Sequence, residues 1–255
     1  MPEWLVLALA MVATCAIVLT VAVLRQRRLG DDEDPTETPD VIEYMTMMIG
    51  VVYAIVLGLA IAGVWEQRNA ATDWVQREAQ ALHEVSERVQ AYPAGTRDRV
   101  RGDVDAYVTH TLHTEWPHMA EHGELTDRGD VLLAKLREDV AGYEPQTTLE
   151  SHAYQGLVDQ VTAIDDARTG RELSAGSTMP GVVWFGLIIG ALVTVGMIFA
   201  LQIRRSGREL LLAGLFSALI AFLLFLIWHF DAPFARGLSD STEPFIVLFP
   251  EAAGG

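Results

Sequence analysis

The sequence predicts an all-α membrane protein in which four transmembrane helices carry a helical-bundle soluble domain inserted between the second and third spans. Three observations predict it. Of the 255 residues 51% are hydrophobic and 20% charged, at a mean hydropathy of +0.25, a combination that requires the two kinds of residue to be segregated. They are segregated, into long apolar runs and one charged central stretch. That stretch, residues 66–179, alternates helical periodicity with Pro and Gly turn signals and has no segment of consequence that reads as strand.

The four runs are Trp4–Leu24, Met45–Trp65, Val182–Ile203 and Leu210–Phe230, and none contains a charged side chain. About 20 residues at 1.5 Å rise cross the hydrocarbon core. A soluble core helix would interrupt such a run with polar residues every third or fourth position. Trp4, Tyr44, Trp65, Trp184, Trp228 and His229 stand at the run ends, where amphipathic rings meet the headgroups. The first run has no basic residue before it and is longer than a signal-peptide core, so a retained helix is expected. The single cysteine, Cys15, excludes an internal disulfide and reads as a small apolar residue.

The division that follows is 1–65 for spans one and two with a polar loop at 25–43, 66–179 for the bundle, 180–230 for spans three and four, and 231–255 for a tail. Arg25, Arg27 and Arg28 follow the first span, and Arg204, Arg205 and Arg208 lie between the last two. Against these six stand Arg68, Arg77, Arg168 and Arg171 near the membrane ends of the insertion. The positive-inside rule then turns the soluble domain to the extracytoplasmic side of a cell (inner) membrane.

Within the insertion, no breaker follows Trp65 until Tyr92-Pro93-Ala94-Gly95, so the second span continues out of the bilayer as one long helix. Val75, Leu82 and Val89, with Val85 and Tyr92, form its packing seam. A second helix is expected from Thr96, a capping residue, through Val100, Val104, Tyr107 and Val108, with a kink or end near Glu115-Trp116 before Pro117. A third runs from Thr126 or Asp127 to Gly142, and a fourth carries Leu157, Val161, Ile164 and Ala167 toward Met179-Pro180. Short connections make these helices antiparallel neighbours.

Glu78 interrupts the seam where an apolar residue belongs. A lone buried carboxylate is costly, so a buried ion pair with Arg168 or Arg171 is expected. The alternative is a Glu on a solvated face.

In the second span, Gly50, Ala54, Gly58 and Ala62 recur every four residues as a smooth stripe, and Gly186 and Gly190 repeat the pattern in the third span. Such a stripe serves close helix packing, or borders an uncharged pore built from several subunits. His110, His113, His118 and His122 crowd into one stretch and are the metal candidates. Pro117 divides the two pairs and no His-Glu-x-x-His pattern exists, so a titrating surface cluster is the reading preferred over a metal site. The net charge of −16 argues against a nucleic-acid partner. No nucleophile elbow or phosphate loop supports an enzyme, and no cofactor is implied. The tail, with Pro233, Phe234 and the apolar run Phe245–Phe249, is expected to anchor on the bundle or in the interface.

The stretches Tyr53-Ala54-Ile55-Val56-Leu57-Gly58 through Val64-Trp65-Glu66-Gln67, Arg77-Glu78-Ala79, Glu115-Trp116-Pro117, Asp166-Ala167-Arg168 with Arg171, and Asp231-x-Pro233-Phe234 lie in an order that resembles a bacterial bestrophin-like membrane family of unknown function. A more distant resemblance links Val56-Leu57-Gly58, Trp65 and Pro233-Phe234 to bestrophins, pentameric anion channels with a helical soluble region. It implies a homo-oligomer in the lipid bilayer, a pore walled by the second span, and small anions as the permeant partners. Bestrophins carry a calcium-clasping acidic run after their Pro-Phe element, whereas Ala235-Arg236-Gly237 follows here, so calcium gating does not carry over. Their soluble region is also cytoplasmic, opposite to the side the arginines favour. The competing reading is a non-conducting sensor or scaffold whose bundle binds a ligand or protein partner.

Overall fold

The structure is a computed structural model that describes residues 40–177, 179–200, 207–236 and 242–253. The run Trp4–Leu24 lies outside the described residues. All regular structure among these residues is helical: α1 Asp40–Arg88, α2 Ala94–His110, a π-helical turn Thr111–Glu115, α3 Trp116–His122, α4 Asp127–Ala141, α5 Thr148–Leu173, α6 Gly181–Ala200, α7 Gly207–Asp231, and the short tail helices α8 Pro233–Arg236, α9 Glu243–Leu248 and α10 Pro250–Ala253. The described parts of Met1–Val64 and Met179–His229 make one compact unit, and those of Trp65–Thr178 and Phe230–Gly255 make another.

In the first unit the apolar run of α1 buries Tyr53, Leu57 and Val64. The Tyr53 hydroxyl donates to the Leu187 carbonyl at 2.9 Å, which satisfies a buried phenol. A β-carbon at Gly190 would overlap the Tyr53 ring, so α6 needs glycine there to approach α1. Thr194 and Ser217 return their hydroxyls to the carbonyls four residues back, on Gly190 and Ala213. Among the described residues Tyr44–Ala91 and Leu211–Asp231 are long and apolar enough to cross a membrane, and Gly181–Met197 is a shorter apolar helix.

The second unit packs one hydrophobic core from α1, α2, α4 and α5. The seam residues Val75, Leu82, Val85, Val89 and Tyr92 are all buried in it, as are Val100, Val104, Tyr107 and Val108. The α2 start differs from the sequence reading. Pro93, not Thr96, occupies the cap, and the Thr96 amide bonds Pro93 O at 3.0 Å inside the first turn. A proline at the cap loses nothing, because the first helical amides have no intrahelical partner. Thr126 does precede α4, and Thr147 caps α5 by accepting from the Glu150 amide at 3.2 Å.

The α-helix before Pro117 stops at His110, and the helix type changes again at Glu115-Trp116, where the sequence places a kink or end. The chain widens into the π-turn Thr111–Glu115 and resumes as α3. Proline has no amide to give the preceding turn and its ring crowds that turn's carbonyl, so the extra residue accommodates both defects.

Candidate functional site

The candidate site is built where the seam of α1 is interrupted. Glu78, Arg171 and Glu115 have no exposed side-chain surface, and Arg168 is only 5% exposed. Arg168 and Arg171 stand three residues apart on α5 and therefore share a helix face. Arg171 donates from Nε to Glu78 Oε2 at 2.7 Å and from Nη2 to Glu78 Oε1 at 3.0 Å. The same Nη2 reaches Glu115 Oε1 at 2.7 Å, and Tyr107 OH donates to Glu78 Oε1 at 2.5 Å. Arg168 donates from Nη1 to Glu115 Oε1 at 2.6 Å, from Nε to Asp130 Oδ1 at 2.8 Å and from Nη2 to Thr126 O at 3.0 Å. The second oxygen of Glu115 accepts from the Thr126 amide at 3.2 Å and hydroxyl at 2.9 Å.

Two buried carboxylates thus face two buried guanidiniums, and their formal charges cancel. Only such balance makes four charges tolerable in a low-dielectric interior. Burial alone would raise the Glu115 carboxyl, but the hydrogen bond from Arg168 and the charges of Arg171 and Arg168 outweigh it and hold it down at about 2. Burial disfavours the charged guanidiniums too, yet the charge of Glu78 on Arg171, and the hydrogen bond from Arg168 to Glu115, drive both further toward the cationic form. Burial and the neighbouring Glu78 charge push the Tyr107 phenol up, so Tyr107 remains a donor. The Arg171 guanidinium also lies 5.9 Å from the Trp116 ring. The backbone is shaped to the cluster: a β-carbon at Gly129 would overlap the Arg168 guanidinium and the Glu115 carboxylate.

The cluster joins α1, α2, the π-turn, α4 and α5. Its carboxylates and guanidiniums bond one another, Tyr107, Thr126 and Asp130. These bonds tie the helices that carry its members to one another.

A family model for the bestrophin-like domain matches residues 12–245, nearly the whole chain. The chain belongs to the bestrophin-like family. The bestrophin-like protein also shares its fold with solved structures. A point variant of a bacterial bestrophin homologue from Klebsiella pneumoniae aligns over 97% of this chain and 99% of that one, at TM-score 0.69 and 13% identity. A proline-to-alanine variant of a membrane protein aligns over 97% of both chains at TM-score 0.66, again with 13% identity. No curated relative matches the sequence. The family is membrane-embedded, and α1 and α7 each contain an apolar stretch long enough to cross a membrane.

The residues singled out from sequence fall into distinct places in the bestrophin-like protein. Glu78 and Arg171 are brought together, whereas Arg168 takes Glu115 and Asp130. On α1, Ala54, Gly58 and Ala62 are exposed and Gly50 half-buried, and β-carbons at Gly50 and Gly58 would meet nothing within 4 Å among the described residues. Pro233 and Phe234 are buried, with Phe234 edge-on to Trp116 at 5.6 Å. Phe245, fully buried, meets the same indole at 6.5 Å.

The four histidines do not converge. His110 Nε2 is 2.8 Å from Thr126 Oγ1, His113 Nε2 is 2.9 Å from Ala252 O, and His118 stacks on His122. The Thr126 hydroxyl gives its single proton to Glu115, so His110 must donate to it. Glu115 and Tyr107 are the members that pattern reading missed. The signal for Glu115 was its place in the Glu115-Trp116-Pro117 triplet, since a proline two residues on foretells a local change of helical phase.

Proposed function

We propose that the bestrophin-like protein is a subunit of a homo-oligomeric channel for small anions in the cell (inner) membrane, with the second span as pore wall. The architecture proposed is four spans, Trp4–Leu24, Met45–Trp65, Val182–Ile203 and Leu210–Phe230, a soluble bundle at 66–179 and a tail at 231–255. The bundle takes the extracytoplasmic side that the arginine distribution favours. The observation that carries the reading is the stripe itself. Ala54, Gly58 and Ala62 are exposed among the described residues, while Tyr53 and Leu57 of the same helix are buried, which supports a role for the stripe toward other subunits and a pore. One chain's spans enclose no wide channel, so conduction requires the oligomer. The wall carries no charge, which makes its width at Gly58 the controlling feature.

The test is anion flux in liposomes reconstituted with the full chain, compared with Gly58→Leu. Flux that Gly58→Leu reduces at least about tenfold, from particles with a ring of subunits around residues 50–62, supports the channel. A monomer or dimer in detergent, or flux indifferent to Gly58→Leu, overturns it. Topology is tested separately by labelling cysteines introduced at Gly30 and in the insertion, in a Cys15→Ala background. An intact ring without flux would instead favour the non-conducting sensor or scaffold. That reading draws on the unbroken course of α1 from Asp40 to Arg88, which carries a span into the bundle as one helix.

A further inference from the structure

We propose that His118 and His122 form a two-imidazole site for a borderline divalent cation, of the class of Zn2+, Ni2+ or Cu2+, on the surface of the bundle. The two residues are four apart on α3 and share one face of it. Their ring centroids are 4.4 Å apart with planes inclined by 19°, so a modest rotation lets both rings offer a nitrogen to one ion. His118 is half-buried and His122 exposed, which leaves the pair open to solvent on one side.

The tautomer is also set. His122 Nδ1 lies 3.2 Å from the His118 carbonyl oxygen. A carbonyl only accepts, so Nδ1 holds the proton and Nε2 carries the lone pair that a metal takes. A backbone carbonyl behind the distal nitrogen is the usual support of a metal-binding imidazole.

The scaffold beneath the pair is rigid. Trp116 packs on Phe234 and Phe245, Met119 is fully buried, and Gly123 closes the helix in the left-handed region at φ 74°. His110 and His113 stand apart from the pair, with Nε2 atoms that face Thr126 and Ala252. Among the described residues no group of three or more His, Cys, Asp or Glu side chains gathers for a metal, so water completes the coordination. Imidazole selects the later transition metals and Zn2+, whereas Ca2+ and Mg2+ require oxygen donors. A cation bridging one helical turn would staple α3, the segment on which the tail aromatics dock.

The experiment is a Cu2+ titration of the tag-free full chain in detergent, followed by electron paramagnetic resonance and repeated calorimetrically with Zn2+. One equivalent should bind with hyperfine structure from two imidazole nitrogens. His118→Ala and His122→Ala should each weaken binding at least about tenfold, a loss typical when metal-site support is removed. His152→Ala, on α5, should leave it unchanged. Metal-free thermal midpoints equal to the parent's show that the variants fold. Binding retained in the double variant, or abolished by millimolar Mg2+, overturns the proposal.

Discussion

Arg171 grips Glu78 with two parallel hydrogen bonds, at 2.7 and 3.0 Å, across 93 residues of sequence and with neither side chain exposed. The planar guanidinium fork matches the carboxylate edge, and the remaining Nη2 reach is taken by Glu115. Removing one partner strands a buried charge. Arg171→Ala should destabilise the bundle by about 3–5 kcal/mol. Arg171→Lys should recover only part of that, since an ammonium cannot reproduce the fork. Glu78→Leu combined with Arg171→Met should cost less than the sum of the two single changes. Thermal denaturation in detergent reads all five variants, and additivity in the double variant would contradict the coupling.

The pH dependence follows from Glu115. Its folded carboxyl is depressed to about 2 from an ordinary 4.5. A depressed acid stabilises the fold fully above the unfolded value, and that contribution is lost as pH falls from about 4.5 toward 2. The shift corresponds to roughly 3 kcal/mol at 1.36 kcal/mol per unit. Denaturation midpoints should therefore fall steeply below pH 4.5, and Glu115→Gln should be less stable at pH 7 while losing less on acidification. A parallel decline in both proteins would refute the assignment.

Gly129 and Gly102 separate close packing from helix propensity. Gly129→Ala should destabilise by about 1–3 kcal/mol, because its methyl would collide with Arg168 and Glu115. Gly102 lies inside α2 with nothing within 4 Å of its added methyl, so Gly102→Ala should stabilise by about 0.5–1 kcal/mol. Opposite signs in one denaturation series are the expected result.

In the first unit, Gly190→Ala should lower the thermal midpoint by pressing on the Tyr53 ring, whereas Gly186→Ala, with nothing within 4 Å, should not. Tyr53→Phe should cost about 1 kcal/mol through the lost bond to Leu187 O. Equal effects of the two glycine changes would show that Gly190 is not the close-approach point.

Tail docking rests on Phe245, fully buried against Trp116. Phe245→Ala should cost about 3–5 kcal/mol and expose Glu243–Leu248 to protease. The exposed Val247 offers a control, since Val247→Ser should leave the cleavage rate unchanged.

Much of the bundle was legible because its determinants are local. The buried seam of α1 and the stops before Pro93 and at Gly142 follow from helical period and backbone chemistry. Glu78 was conspicuous because a carboxylate at a seam position must find a cation. Which cation it finds is not a local property. Arg168 and Arg171 share a face of α5, and only the packing of that helix decides that Arg171 meets Glu78 while Arg168 turns to Glu115 and Asp130. Glu115 itself was hidden because the π-turn shifts the helical phase from which its direction would be read.

The sequence by itself determined the segregation into apolar runs and a charged helical stretch. Hydrocarbon accepts only long uncharged helices, and an amphipathic period admits only one buried face. The tertiary structure alone decided the membership of the buried ion cluster and the seat of Phe245. Each joins residues whose meeting depends on how separate helices pack, and no periodicity within one helix encodes its neighbour.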